Sequence, residues 1–339
     1  VIEVFSVPDR PSISIAMASY QGASFIEAQL ESFAQQTLLP DEVVICDDGS
    51  SDGTGDVVAR FAKDAPFAIR FQPNPERLGY TRNFERALTL CNGSLIFISD
   101  QDDVWLPEKL ATVVAAFEAH PRARVVVNDQ IITDREMVDT GITKLGNLHR
   151  MGMTSDGLIE GCCTALRKEW RDLLFPIPDG AGDLVQPTLL SYDRWINEMA
   201  ILLDVREMVP RPLQLFRRHG GNATTWLLSE PRKIGTLDLV GTRARTVPSG
   251  AWAERARLLG FYTHWLQERQ DLLAEQGIGI DRAMKRVEHE RESLERRIAL
   301  TRSPLLRRVP QIARMLLEGR YRYFYGWKSA LRDVVRAER

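Results

Sequence analysis

The chain has 339 residues, 44% of them hydrophobic and 27% charged, with a formal net charge of -2. This is the composition of a soluble globular protein, long enough for a large core plus a second module. No run approaches the roughly 18 apolar residues of a membrane-spanning helix, and the short acidic start V-I-E-V-F-S-V-P does not read as a signal peptide. The four cysteines, Cys46, Cys91, Cys162 and Cys163, lack zinc-ligand spacing. Three lie in apolar stretches and read as small core residues, which fits a reduced, cytosolic compartment.

Ser12–Met17 alternates as a strand does, and Ala18–Gly22 follows as a loop. Phe25, Leu30 and Phe33 recur at helical spacing. Val43–Cys46 is a second apolar strand that runs into Asp47-Asp48-Gly49-Ser50, whose acids and serines suit the cap of a helix over Asp56–Lys63. Ile69–Gln72 is a third strand, Asn74-Pro75 opens a turn, and Thr81–Leu90 is a helix with Arg82 and Asn83 near its start. Leu95–Ile98 is a fourth strand, and it ends in Asp100-Gln101-Asp102-Asp103. Strands and helices alternating at this spacing predict a parallel sheet wound with helices.

Three carboxylates in four residues repel one another, so a cation belongs beside them. The simplest is a hard divalent ion bound through oxygen. In open α/β sheets, ligands sit outside the carboxyl ends of strands. There is neither a dinucleotide fingerprint nor a P-loop. Tyr20 offers a flat face for a base, Asp48 an acceptor for a ring N–H or ribose hydroxyl, and Arg82 a fork for phosphate. Each has a plainer reading: a half-buried core aromatic, a turn-building acid and an exposed helix charge.

The segments A-S-Y-Q-G, D-E-V-V-I-C-D-D-G-S-S-D-G-T, N-P-E-R-L-G-Y-T-R-N-F-E-R-A-L and F-I-S-D-Q-D-D-V-W-L-P-E-K-L occur in this order. Together they resemble a family 2 glycosyltransferase with the GT-A fold, over roughly residues 11–225. The D-Q-D-D-V-W form is most similar to rhamnosyltransferase-type members that build bacterial surface polysaccharides. The resemblance implies a Rossmann-like, mostly parallel sheet flanked by helices and followed by a C-terminal helical region. It implies a nucleotide-sugar donor, a dTDP- or UDP-sugar, and a glycan or lipid-linked acceptor. Tyr20 would lie near the base, with Ser19 beside it, and Asp48 would touch base or ribose. Arg82, with Asn83 next to it, would lie near the diphosphate. Asp100-Gln101-Asp102 would be the D-x-D element, with Asp102 on the metal and Asp100 on ribose or sugar.

In the second half, Val125–Val127 is a strand ending in Asn128-Asp129, and the polar, Gly-dotted stretch 134–157 reads as a flexible loop over the site. Ile159–Leu166 carries small residues, suiting a strand whose backbone lies close to a ligand, and it matches the family's acceptor-side segment. A Pro/Gly/Asp-rich loop over 176–187 leads to Tyr192-Asp193 and a helix Trp195–Leu203. An Asp at a helix start is a natural cap. By resemblance Asp193 would be the general base, with Tyr192 where the family has His or Glu. Arg217 and His219 match a family element with Phe216 in place of Tyr. The resemblance makes Arg217 a diphosphate contact and His219 a metal ligand, and an imidazole among carboxylates favours manganese over magnesium.

The organisation expected is a catalytic domain over 1–229, a linker over 230–250 and helices over 251–339. Ala251–Gln276 and Asp281–Leu300 are amphipathic and offer a homodimer seam or a hairpin packed on the catalytic domain. From Leu305 to Arg339 nine basic residues face three acids, interleaved with Tyr321, Tyr323, Phe324, Tyr325 and Trp327. This predicts peripheral association with an anionic membrane, at the inner face of the cytoplasmic membrane. No nucleic-acid motif accompanies it. Rival classes are a nucleotidyltransferase, which would need a basic phosphate loop that 18–24 lacks, and a non-catalytic nucleotide-binding relative.

Overall fold

The computed structural model describes residues 10–178, 190–222, 227–235, 249–324 and 326–335. Most of the expected loop at 176–187 and linker at 230–250 lie outside the described residues, as do Tyr325, Arg336, Glu338, Arg339 and the side chain of Leu305.

The first four strands are β1 (Ile13–Ser19), β2 (Glu42–Asp47), β3 (Ala68–Pro73) and β4 (Leu95–Ser99), separated by α1 (Ile26–Ala34), α2 (Thr54–Phe61) and α3 (Tyr80–Leu90). They pair in parallel in the order β3-β2-β1-β4. Alternate side chains serve two cores. Ile13, Ile15 and Met17 of β1 join Val43, Ile45 and Phe97 on one face, with Leu30 and Phe33 of α1. Ala16, Val44, Ile96 and Ile98 turn to the other face, against Phe84 and Leu88 of α3. Strands covered on both faces read as continuous apolar runs, and each fully buried aliphatic or Phe side chain contributes about 1.5–3 kcal/mol.

The second half comprises β5 (Val104–Trp105), α4 (Lys109–Ala119), β6 (Val125–Thr133), β7 (Asp139–Thr143), α5 (Lys144–Arg150), β8 (Thr164–Arg167), α6 (Lys168–Leu174), α7 (Tyr192–Leu202) and β9 (Arg206–Arg217). The sheet order is β3-β2-β1-β4-β8-β6-β9-β5, with β7 on β6. The α/β class holds, but parallel pairing is confined to the first four strands and β6–β9; β8, β7 and β5 pair antiparallel. Because β8 is antiparallel to both β4 and β6, β6 and β9 run with β1–β4. The carboxyl ends of β1, β2, β4, β6 and β9 therefore open on one edge, beside the start of β8.

One expectation is corrected. The stretch 134–157 contains β7 and α5, because Leu145, Leu148 and Met151 bury an apolar face and Thr143 accepts from Gly146 N–H at the helix start. Residues 206–217, which Pro210 and Pro212 argue against, form the long strand β9. Its register against β6 shifts on both sides of Asp129, opposite Pro212, and such irregularities accommodate residues without an N–H.

The C-terminal helices are α8 (Ser249–Glu268), α9 (Gln270–Glu275), α10 (Asp281–Thr301), α11 (Leu305–Leu317) and α12 (Trp327–Val335). Leu259, Tyr262 and Trp265 of α8 and Val287 of α10 belong to the same apolar cluster as α3 and α7. Trp265 meets Trp195 edge-on at 5.2 Å. Glu198 of α7 accepts from Arg255 (2.6 Å) and Tyr262 (2.7 Å), and Arg255 also pairs with Glu290. These helices pack as part of the main body.

Candidate active site

Residues 100–103 leave β4 and enter β5, and β5 pairs with β9 through Val104–Leu215 and Trp105–Gln214. That pairing brings the end of β9 to the acidic turn. Arg217 donates from its backbone N–H to Asp103 (3.3 Å) and from Nε to the Asp102 carbonyl (2.9 Å). Two residues on, His219 Nε2 lies 2.8 Å from Asp102 Oδ2. The His219 ring stacks on Phe25 with centroids 4.7 Å apart. Gly221 N–H donates to His219 Nδ1 (3.1 Å), so Nε2 carries the proton shared with Asp102.

The carboxylates differ in surroundings. Burial, then the charge of Asp102, pushes Asp100 up to about 7. Burial and both neighbouring acids push Asp103 well above the usual carboxylate range. Asp103 faces inward to Gln214 Nε2 (3.2 Å), and Gln214 also reaches Gln130 (2.7 Å) and Lys109. Asp100, Asp103 and Cys162 form a tight group of three ligand-type side chains. Asp102 and His219, side by side at 2.8 Å, offer a second pair that could hold a cation. The Cys162 thiol is held protonated by Cys163 and by burial, and Asp103 is occupied by the protein. A carboxylate with an imidazole at the strand ends suits a first-row divalent ion, backed by Asp100. Coordination through Nε2 requires the ring proton to move to Nδ1 and Gly221 N–H to turn away.

The helix α7 opens with Tyr192 and Asp193, and Tyr192 lies near both Asp100 and Asp193. Burial raises the Asp193 carboxyl to about 6, against hydrogen bonds from Ser191 and Arg194 N–H that lower it. The Tyr192 ring stacks on Phe84 at 4.2 Å. Its hydroxyl presses on Gly161, where a Cβ would lie 2.0 Å from it. Burial, with Asp100 and Asp193 nearby, keeps that phenol protonated.

A family model described as glycosyl transferase family 2 matches residues 14–172. The chain carries a family 2 glycosyltransferase domain. An uncharacterized glycosyltransferase of Nostoc is 33% identical over 108 residues, 31% of this chain and 33% of that protein. A dTDP-rhamnosyl transferase of Shigella flexneri is 33% identical over 102 residues, 29% of this chain and 35% of that protein. The chain thus matches about a third of the length of these relatives. The structure of S. aureus TarS residues 1–349 with UDP-GlcNAc is 16% identical, with a TM-score of 0.49 over 73% of this chain and 65% of that one. Asp193, Arg217 and His219 lie beyond the matched family segment.

Within this glycosyltransferase domain the other expected donor residues take varied positions. Tyr20 is partly exposed at the end of β1, and the Arg77 guanidinium covers one face of its ring at 4.0 Å. The side chain of Gln101 holds the Tyr20 backbone by two hydrogen bonds (3.0 and 2.9 Å). Gly22 leaves room for that amide, since a Cβ there would sit 2.1 Å from Gln101 Oε1. Ser19 is buried and donates to Asp47. Asp48 accepts from Leu78 N–H, Gly79 N–H and Asn74, and so ties down the loop after β3. Asn83 is buried and donates to the Cys46 and Ser19 carbonyls. These bonds anchor Ser19 and Asn83 to the strand ends beside the site. Arg82 pairs with Glu85 (2.5 Å), whose other oxygen accepts from Ile177 N–H.

Sequence reasoning missed Phe25, Lys109 and Lys144. Lys109 is buried under the acidic turn against Trp105 and Cys162 O, and burial lowers it to about 8. Lys144 pairs with Glu160 (2.9 Å) and lies over the Phe216 ring. Both lysines sit at helix starts in otherwise apolar or polar stretches, so nothing local marks them as buried.

Proposed function

We propose that this site transfers a sugar from a nucleoside-diphosphate donor to an acceptor hydroxyl, with inversion at the anomeric carbon. The observation that carries the reading is the meeting of Asp102, Arg217 and His219 at the carboxyl ends of the parallel strands, together with a half-buried Asp193 at the start of α7. Tyr20 presents a surface for the base. Arg217, beside Asp102, and Arg82, at the start of α3, are the cations for a diphosphate. Asp102 and His219 would hold a divalent cation, manganese or magnesium, which supplies positive charge to the leaving diphosphate. Asp100 would accept from a ribose or sugar hydroxyl.

Asp193 takes the acceptor proton. A carboxyl raised to about 6 is largely ionised at neutral pH yet more basic than a solvated aspartate, the balance a general base needs. Attack from the face opposite the leaving group gives inversion in one displacement, by the logic that separates inverting from retaining glycosidases. A dTDP- or UDP-sugar is the favoured donor, and a glycan or lipid-linked hydroxyl of a bacterial surface polysaccharide, such as O-antigen, the favoured acceptor. The likeness to the Shigella dTDP-rhamnosyl transferase supports the donor class.

The test is a panel of dTDP-, UDP- and GDP-sugars with manganese, followed for nucleoside diphosphate release. Release with one nucleotide class, lost in EDTA and in Asp193→Asn, supports the reading. Failure of every donor to bind or react would overturn it.

A further inference from the structure

The basic C-terminal segment divides sharply into an inner and an outer face. On α11, Arg308, Ile312 and Met315 point inward, and Ile312 and Met315 pack with Leu300, Tyr321 and Ala330. Leu306, Val309, Pro310, Ala313, Leu316 and Leu317 all point to solvent. Their spacing of three and four residues makes one continuous stripe along the helix. Leu306 and Leu317, at its two ends, are each 90% exposed. On α12, Trp327 (63%) and Leu331 (60%) are exposed one turn apart. An exposed apolar face of this kind on an otherwise well-packed body marks an interaction surface.

The rim of the patch is basic. Arg307 and Arg314 lie along one side of the stripe and are both exposed. Residues 302–335 hold eight lysines and arginines against two acids. Both acids are occupied internally: Glu318 by Arg296, Arg314 and Arg320, and Asp333 by a buried two-point pair with Arg297. No helix among the described residues is long and apolar enough to cross a membrane.

We propose that the outer face of α11, with Trp327 and Leu331, lies in the plane of an anionic lipid surface. The leucines enter the acyl boundary, Trp327 lies at the headgroup level, Arg307 reaches the phosphates, and Arg314 gives up its solvent-exposed pair with Glu318 to join it. A second copy on the same face would bring two arginine rims together with no available carboxylate to pair them. The surface differs from the one the sequence suggests, because Ile312 and Tyr321 are buried and Arg320 is held by Glu318 and Glu292.

The experiment uses the full chain with vesicles of phosphatidylcholine alone and with phosphatidylglycerol added, at low salt. Wild type should sediment with the anionic vesicles and not with the neutral ones. The double variant Leu306→Glu/Leu317→Glu should lose at least about tenfold in partitioning, with its melting temperature and nucleotide binding unchanged, since both side chains are solvent-exposed. Leu272→Glu, at another exposed leucine, should partition as wild type. Wild type that stays in the supernatant with both vesicles overturns the proposal. So does a wild-type dimer in lipid-free buffer that the double variant converts to monomer, which would make the face a seam between copies. Equal sedimentation of the double variant and wild type overturns it too, by placing the lipid contact elsewhere.

Discussion

Asp193→Asn separates the base from the helix start that holds it. Burial, the largest cause, raises the folded carboxyl from its ordinary value of 3.8 to about 6. Each pH unit of such a displacement corresponds to about 1.4 kcal/mol, so ionised Asp193 costs the fold up to about 3 kcal/mol, less whatever its remaining exposure returns. Because the folded pKa lies above the unfolded one, the native state holds a proton that the unfolded chain releases. Stability therefore falls as pH rises from about 4 to about 6 and is level above that. Asparagine fills the same space, can accept from Arg194 N–H and carries no charge. At about pH 7 the variant should unfold at a higher denaturant concentration than wild type, while near pH 4 the two should nearly coincide. Transfer should fall by about 10²–10⁴-fold with donor affinity unchanged. Wild-type activity should climb with pH through about 6. Two proteins of equal stability at about pH 7 would show that the carboxylate is solvated, and the argument from burial would fail. Normal transfer by the variant would reduce Asp193 to a helix cap.

Asp102→Ala and His219→Ala should each weaken manganese-dependent UDP or dTDP binding by about tenfold or more in calorimetry, with secondary structure intact; unchanged affinity would remove the cation from this pair. Gly161→Ala should cost about 1–3 kcal/mol in denaturant unfolding, because the added methyl meets the Tyr192 ring and hydroxyl. Tyr192→Phe should recover part of that cost in the double variant; strict additivity would mean that the two do not touch. Glu198 is pushed up by burial, but Arg255 and Arg194 outweigh this and hold it near about 2. Its contribution should be complete above about pH 4.5 and fade as pH falls toward 2, and Glu198→Gln should cost about 1–3 kcal/mol by leaving two half-buried arginines short of a partner. A Glu198→Gln protein as stable as wild type in neutral buffer would contradict that.

Much of the first half was legible because the signals there are local. Ile13–Met17, Val43–Cys46 and Leu95–Ile98 are apolar runs with polar turns at their carboxyl ends, and parallel winding places those ends on one edge. The helix 144–150 was not legible, since its buried lysine and glycine imitate loop composition. Strand β9 was hidden by Pro210 and Pro212, which are tolerated only because its register against β6 is irregular. Asp48 and Asn83 illustrate a different limit. Their types suit ligand contact, and only the folded chain shows which loop amides and strand carbonyls hold them in place.

By itself, the sequence determined which carboxylates end which strands and where the basic charge gathers, because strand period and net charge are properties of neighbouring residues. Only the tertiary structure decided what those groups meet. Asp102 and His219 are 117 residues apart, and the short β5–β9 ladder between them makes them neighbours. In the tail, the packing of α11 against α10 decided that Ile312 turns inward and Leu317 outward. Both are apolar residues in the same helix, and burial follows from the partner surface, which local pattern does not encode.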